Sequence, residues 1–477
     1  MQYEPIIGME VHAELLTASK MFCGCDAHIF GAPPNTHVCP VCLGLPGVLP
    51  VINRKAVEYT LMAGLALHCQ IAEFSVFARK NYTYPDLPKG YQISQYELPL
   101  CRDGWLDVEV DGQSRRIGIT RAHLEEDTAK LFHAGGYSLV DFNRAGVPLL
   151  EIVSEPDIRS PEEARQYLIR LQQILRYLGV SSADMEKGAM RCEANVSLRP
   201  VGSTALGTKV EVKNLNSFRS VKLALEYEIE RQARVLEAGG TVEQVTMGWD
   251  EVHNRTVVQR SKEYADDYRY FPEPDLPPLE ISREWVAEIR SRLPELPEAK
   301  RARFIADYGL DAQQAEVLVQ ERAVADYFEE AVAAYGGAAR AVAPWISGEL
   351  FRLLRAQGLE MAEVPVPAKA LADLLILIDE GKITSGTGKQ VLAQMFASGR
   401  SAAEIVEAEG LAQVSDAATL EAAVRKVLAA YPDEVAKYRE GKSQIIGWLM
   451  GQVMRETKGK ANPQLVRELL ERQLRQC

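Results

Sequence analysis

A single carboxylate inside an apolar run is the tightest constraint in this 477-residue chain. Between the turn Asn143-Arg144-Ala145-Gly146 and the stop Ser154-Glu155-Pro156 lies Val147 to Val153, enough for one strand, with Glu151 inside it. An acid within a buried strand is costly unless it is paired or metal-bound. The other reading is a strand-edge Glu facing water. Other strands with one polar face decide between the two.

Several segments have that pattern. In IIGMEVH (6–12), Ile7, Met9 and Val11 share one face and Glu10 and His12 the other, because side chains repeat every second residue along a strand. Such a pair either holds one cation or sits solvated at an edge. Asp111-Gly112 between LDVEV and RRIGIT signals a hairpin. Its second strand runs on so that Arg121, His123 and Glu125 project to one side and Glu126 to the other; the acids Glu125 to Asp127 either bind metal or cap a following helix. Arg191, Glu193, Asn195 and Ser197 alternate with Cys192, Ala194, Val196 and Leu198. Lys209, Glu211 and Lys213 alternate with Val210 and Val212, so the two segments read as an antiparallel pair with one charged face. Ser160-Pro161-Glu162-Glu163 opens a helix that Gly179 ends, and a second helix is expected at about 221–238. Residues 79–97 and 260–279, rich in Tyr, Pro and charge, read as long loops; Arg79, Lys80 and Lys89 there meet an anion, line a polar passage or are simply solvated.

Cys23-Gly24-Cys25 and Cys39-Pro40-Val41-Cys42, thirteen residues apart, have the spacing of a tetrahedral zinc site. Four thiolates leave no open coordination position, so the expected role is structural. His28 and His37 are the only substitutes between the pairs, and Cys69, Cys101, Cys192 and Cys477 read as scattered thiols. Cysteines used this way suit a reducing compartment. With no basic leader after Met1 and no apolar run near the roughly 20 residues of a membrane span, a cytoplasmic protein is expected.

From Leu293 onward Ala, Glu and Leu recur at helical spacing, for example at Glu321 to Tyr335, Ala368 to Asp379 and Gly388 to Ala397. A net charge of -12 argues against a general nucleic-acid coat. Yet residues 401–435 hold seven acids against two bases, and 436–477 nine bases against four acids. Lys442, Arg455, Lys458 and Lys460 are therefore the best phosphate contacts, the alternative being a solvated helix end.

Strand carboxylates Glu10, Glu125, Glu151, Glu193 and Glu211, interleaved with bases, suit Mg-assisted phosphoryl transfer, since hard cations take oxygen ligands. GKITSGTGKQ (381–390) is not a P-loop: Ile383 replaces the first glycine and Gln390 the Ser/Thr. Neither GxSxG nor a GxGxxG opening a βαβ unit is present, which leaves nucleophilic hydrolysis and dinucleotide chemistry unsupported.

Over nearly its whole length the chain resembles the family of B subunits of the aspartyl/glutamyl-tRNA amidotransferases. The resemblance rests on GMEVHAEL, the cysteine segment from Met21 to Pro50, KNYTYPDLPKGYQISQYE, HLEEDTAKL, DFNRAGVPLLEIVSEP, MRCEANVSLRP, DYRYFPEPDLPP and GQVMRETKGKANP. It implies an ATP- and Mg-dependent ligase. The side-chain carboxylate of misacylated Glu-tRNA(Gln) or Asp-tRNA(Asn) is phosphorylated, and ammonia from a separate amidase subunit displaces the phosphate; a small third subunit tethers the two. It further implies that Glu10, His12, Glu125 and Glu151 surround the catalytic metal, that Lys80 and Lys89 lie along the ammonia route, that Cys23, Cys25, Cys39 and Cys42 hold structural zinc, and that a tail domain grips tRNA. Arg191, Glu193 and Glu211 are added as nucleotide-binding candidates. The fold class expected is α+β: a mainly antiparallel, glutamine-synthetase-like cradle (1–293), an all-helical middle domain (294–405) and a small helical tail (406–477). Met247 and Asp266 depart from the Arg and His expected there. The competing readings are a zinc-stabilised tRNA-binding scaffold without catalysis and, less favoured because of the basic tail, a free-standing small-substrate ligase.

Overall fold

A computed structural model describes residues 2–261, 267–412, 417–439, 442–457 and 461–476. The chain divides into two compact units, Met1–Pro297 and Glu298–Cys477.

The first unit is mixed α/β. In chain order it holds β1 (Tyr3–Glu14), α1 (Arg54–Ala66), β2 (Gln70–Ile71), β3 (Phe74–Ser75), β4 (Ala78–Asn81), β5 (Tyr91–Ser94), β6 (Cys101–Val110), β7 (Gln113–Glu126), β8 (Lys130–Ala134), β9 (Tyr137–Asp141) and β10 (Pro148–Ser154). There follow α2 (Pro161–Leu178), β11 (Met190–Pro200), β12 (Val210–Lys213), α3 (Phe218–Glu237), β13 (Val245–Asp250), β14 (Arg255–Ser261), β15 (Phe271–Pro272), β16 (Leu279–Glu280) and α4 (Arg283–Ser291). Nine strands form one sheet in the order β14-β13-β12-β11-β1-β10-β7-β6-β2, antiparallel except where β12 meets β13.

Alternation decides the faces. Ile7, Met9, Val11, Leu150, Ile152, Ala122, Leu124 and Ala194 are buried together with Leu61 of α1, Leu168 and Leu171 of α2 and Val221 and Leu225 of α3. The opposite face carries the charged residues. The Asp111-Gly112 turn joins β6 to β7 with both residues at positive φ (52° and 74°), a backbone that suits the tight hairpin. The Ser160 hydroxyl accepts from the Glu163 N–H, Pro161 fills the first turn, and Gly179 closes α2 at φ 67°.

Three expectations need correction. Residues 79–97 are not one long loop: β4 and β5 pair with each other and, through β4, with β15, in a separate three-stranded sheet. Strands of two to four residues are too short to print an alternation, and backbone pairing alone defines them. No helix follows Glu125 to Asp127; β7 runs to Glu126 and β8 comes next, so these acids cap nothing. The second helix begins at Phe218 rather than 221, because Ser217 caps it by accepting from the Ser220 N–H.

The second unit is helical and has two apolar cores. One gathers Phe304, Phe328, Leu371, Val391 and Ile405, with helices Arg322–Tyr335, Ala368–Asp379 and Ser385–Ser398 contributing. The other gathers Leu420, Val424, Leu449, Val453, Val466 and Leu470. The P-loop look-alike is an ordinary helix start, with Thr384 capping by accepting from the Thr387 N–H and Gly388 buried in the helix. No helix among the described residues is long and apolar enough to cross a membrane.

Candidate active site

The register of four central strands sets one polar row across the sheet. Arg191 of β11 lies opposite His12 of β1, His12 opposite Glu151 of β10, and Glu151 opposite His123 of β7. Glu10 lies opposite Glu193 one step along, and Glu125 stands two residues from His123 on the same side of β7. These side chains line a cavity of about 410 Å³ that Lys80, Tyr82, Tyr268 and Tyr270 also border.

Distances within the row are short. His12 Nε2 is 3.4 Å from Glu151 Oε2 and 3.6 Å from Glu10 Oε1. His123 Nε2 is 3.6 Å from the same Glu151 oxygen and 3.5 Å from Glu125 Oε1. Arg121 Nη2 approaches the other Glu151 oxygen at 3.6 Å. Glu125 accepts from the Ser94 hydroxyl at 2.6 Å and from Gln92 Nε2 at 3.1 Å. The acid in the apolar run is therefore paired and faces inward.

Charge is tuned accordingly. Burial pushes Glu10 up, and the Glu151 charge adds to it. Burial pushes Glu151 up as well, but His123, the His12 hydrogen bond and Lys80 outweigh it and hold Glu151 well below the usual carboxylate range. Burial pulls His12 down, yet its hydrogen bond to Glu151 and the charges of Glu151, Glu125 and Glu10 carry it up to about 9. Lys80 is likewise pulled down by burial and more than restored by Glu125, Tyr270 and Glu151. Beside the cavity a buried Asp127 accepts from Arg191 Nη2, and Arg144 lies 3.6 Å away. Burial and the Asp127 charge push Glu14 up to about 7.

Two donor trios, Glu10-His12-Glu151 and His123-Glu125-Glu151, each have ligand atoms within 4.8 Å of one another and share Glu151. His123 Nδ1 and Arg121 Nε are buried here without a hydrogen-bond partner. Convergent carboxylates that present oxygens to one another, with imidazoles beside them, fit a divalent cation. The four cysteines fit zinc. Their sulfurs also lie within 4.8 Å of one another, and Cys39 Sγ and Cys42 Sγ are 3.9 Å apart. The edge of a tetrahedron with 2.3 Å Zn–S bonds is roughly 3.8 Å. His28 is exposed and bonded to Asp26, and the quartet is complete without it or His37.

The structure thus brings Glu10, His12, Glu125, Glu151, Arg191, Glu193, Glu211 and Lys80 into one cavity. Glu193 is held by Lys213 at 2.7 Å, and Glu211 accepts from the Thr246 hydroxyl at 2.8 Å. Lys89 stands apart: it pairs with Glu126 at 2.7 Å and lines a separate cavity of about 140 Å³ with Cys23 and Cys42. Lys442 and Arg455 are exposed in the second unit; Lys458, Lys460 and Asp266 lie outside the described residues. Met247 is buried in β13. Sequence reasoning left out His123 as a ligand, although its parity with Glu125 was visible. It had no signal for Gln92 and Ser94, which come from the second sheet, or for the tyrosine wall, which comes from the segments flanking its strands.

Residues 5–287 match the GatB/GatE catalytic domain and residues 326–474 the GatB domain. A protein of Moorella thermoacetica, named as the B subunit of an aspartyl/glutamyl-tRNA(Asn/Gln) amidotransferase, is 59% identical over 478 residues, 99% of this chain and 100% of its own length. Proteins of the same name from Thermomicrobium roseum (57%, 100% of this chain and 99% of the relative) and Carboxydothermus hydrogenoformans (55%, 98% of each) are similarly close. With its catalytic-domain match, its polar cradle and these full-length relatives, the chain belongs to the family of aspartyl/glutamyl-tRNA(Asn/Gln) amidotransferase B subunits.

Proposed function

We propose that this chain is the amidotransferase subunit that activates the side-chain carboxylate of misacylated Glu-tRNA(Gln), Asp-tRNA(Asn) or both, using ATP and Mg²⁺, for amidation to Gln-tRNA(Gln) or Asn-tRNA(Asn). As a family member it is an enzyme subunit, a glutamine-dependent ligase forming a carbon–nitrogen bond. The observation that carries the reading is the cluster of Glu10, His12, Glu125 and Glu151 in one cavity with Arg191 and Lys80. Bound there, Mg²⁺ would neutralise phosphate charge and orient the transferring group.

The chain's own residues do the rest. A carboxylate oxygen of the aminoacyl group attacks the γ-phosphorus and ADP leaves; ammonia then attacks the acyl carbon, phosphate departs and nitrogen sheds a proton. Lys80, Arg191 and Arg121 offset the phosphate charge, and Glu193 and Glu211 hold Lys213 at the far wall. That proton leaves on the departing phosphate, a stronger base than a carboxylate. We place Lys80 at the receiving end of an ammonia route and the Lys89-Glu126 pair further along it, fed by an amidase subunit that a small third subunit tethers. Structural zinc sits in the cysteine quartet. Residues 1–293 form a glutamine-synthetase-like cradle, 294–405 a helical domain and 406–477 a tail that binds tRNA through Lys442, Arg455, Lys458 and Lys460, all in the cytoplasm.

Reconstituting the chain with its amidase and tether partners on Glu-tRNA(Gln), ATP, Mg²⁺ and glutamine tests this. Gln-tRNA is expected to form and to disappear with Glu151→Ala. Asn-tRNA formed from Asp-tRNA(Asn) alone changes only the substrate. Neither product, with tRNA still bound, favours the scaffold reading.

A further inference from the structure

Lys20 is fully buried, yet its ammonium has no carboxylate within ion-pair distance among the described residues. Nζ has two partners: it donates to Cys42 Sγ at 3.7 Å and to the Phe142 carbonyl at 3.3 Å. An ammonium taken out of water without a counter-charge is a costly arrangement. The nearest group able to supply that charge is the sulfur cluster. Four thiolates around Zn²⁺ leave two negative charges, and the Cys42 sulfur is met both by Lys20 and by a backbone donor, the Cys39 N–H at 3.1 Å.

The other partner of Lys20 leads towards the cavity. Phe142 belongs to the turn from which β10 sets out, and the cysteine segment grips that turn at several points. Met21 N–H donates to the Gly146 carbonyl at 2.7 Å, His37 N–H to Asn143 Oδ1 at 2.8 Å, and Phe142 N–H to Asn35 Oδ1 at 2.7 Å. Gly146 has φ +83°, and a Cβ there would lie 3.5 Å from Cys42 Cβ and 3.7 Å from Lys20 Cδ. Glu151 follows five residues later.

We infer that Lys20 is the built-in counter-ion of the four-thiolate metal centre and, through the Phe142 carbonyl, ties that centre to the turn that positions β10 and Glu151. The inference rests on the zinc reading of the quartet. Lys20 touches neither substrate nor reacting atoms, so its role is positioning. Its charge is tolerated because the metal centre is anionic, and the centre holds its metal more tightly because the charge is there.

Lys20→Met keeps the stem and removes the charge. In the metal-stripped, reduced 477-residue chain this variant is expected to melt at or above wild type, because a solitary buried charge is gone. In the zinc-loaded chain it is expected to melt below wild type and to bind zinc about tenfold more weakly or worse in competition with a chromophoric chelator. Hydrogen exchange of residues 140–147 rises with it. The reversal of sign between the two states is what simple packing does not give. Lys20→Arg, which keeps the charge, is expected to retain zinc within about threefold of wild type even if its bulk costs stability in both states. Equal destabilisation of Lys20→Met with and without zinc overturns the inference, as does a Lys20→Arg protein that loses as much zinc affinity as Lys20→Met. Unchanged zinc affinity in Lys20→Met overturns it while the zinc reading stands. A reduced wild-type chain that takes up less than one zinc overturns both.

Discussion

Glu151 carries the site because two histidines and an arginine close on its two oxygens from both neighbouring strands. Replacing it with Ala leaves His12, His123 and Arg121 facing one another and removes the ligand common to both donor trios. ATP turnover is expected to fall on the order of a hundredfold or more, the scale of losing one electrostatic partner of a transition state, with tRNA affinity unchanged in a filter-binding assay. His12 gives a pH signature. Its value rises from 6.5 to about 9 on folding, so its pairing with Glu151 stabilises fully below pH 6.5 and is lost as pH rises through about 9. Glu151 is depressed, so its share is present above 4.5 and lost on acidification. In metal-free buffer the melting-temperature gap between wild type and His12→Gln is expected to be widest between pH 4.5 and 6.5 and to close towards about pH 10. A divalent cation competes with that proton, so Mn²⁺ affinity measured by titration is expected to rise from about pH 7 to about pH 9. At this scale most of the site was legible, because strand parity places Glu10 with His12 and Glu125 with His123. Parity could not say that Glu151 Oε2 is shared by both histidines; that comes from register.

Each central strand serves two purposes on its two faces. On β10, Glu151 lines the cavity while Leu150 and Ile152 are fully buried against the helices. Leu150→Ala is expected to cost about 2–5 kcal/mol by opening a cavity, seen as a lower melting temperature, while correctly folded protein keeps its metal affinity. Glu151→Ala is expected to lose metal affinity and, in metal-free buffer at neutral pH, also to lower the melting temperature, because His12 loses its partner. Long elements announced themselves: β1, β7, β11 and α2 carry an alternation, a hairpin dipeptide or a cap that local physics reads directly. The short β4 and β5 did not. Lys80, Gln92 and Ser94 reach Glu125 and its neighbours only because a three-stranded sheet brings them there.

For the whole molecule, the carboxylate cluster and the basic segment fall in different units. The cradle gathers carboxylates in the first unit, and the excess of bases lies in the last 42 residues of a chain with net charge -12. Lys442→Glu with Arg455→Glu is expected to weaken tRNA binding and to reduce the slope of log affinity against log salt by roughly one for each phosphate no longer neutralised, with ATP and Mn²⁺ binding retained. Composition pointed to that division, since a basic segment on an acidic chain is a local feature. Which tRNA is held is a matter of shape and bases that charge counting does not address. The central claim is that the cavity phosphorylates a carboxylate, and oxygen tracing tests it most directly. Glu-tRNA(Gln) carrying ¹⁸O in its side-chain carboxylate is incubated with the reconstituted enzyme, ATP, Mg²⁺ and glutamine, and the released phosphate is weighed by mass spectrometry. One ¹⁸O per phosphate, absent with Glu151→Ala, is the predicted result; phosphate released with Gln-tRNA but without ¹⁸O would contradict the account.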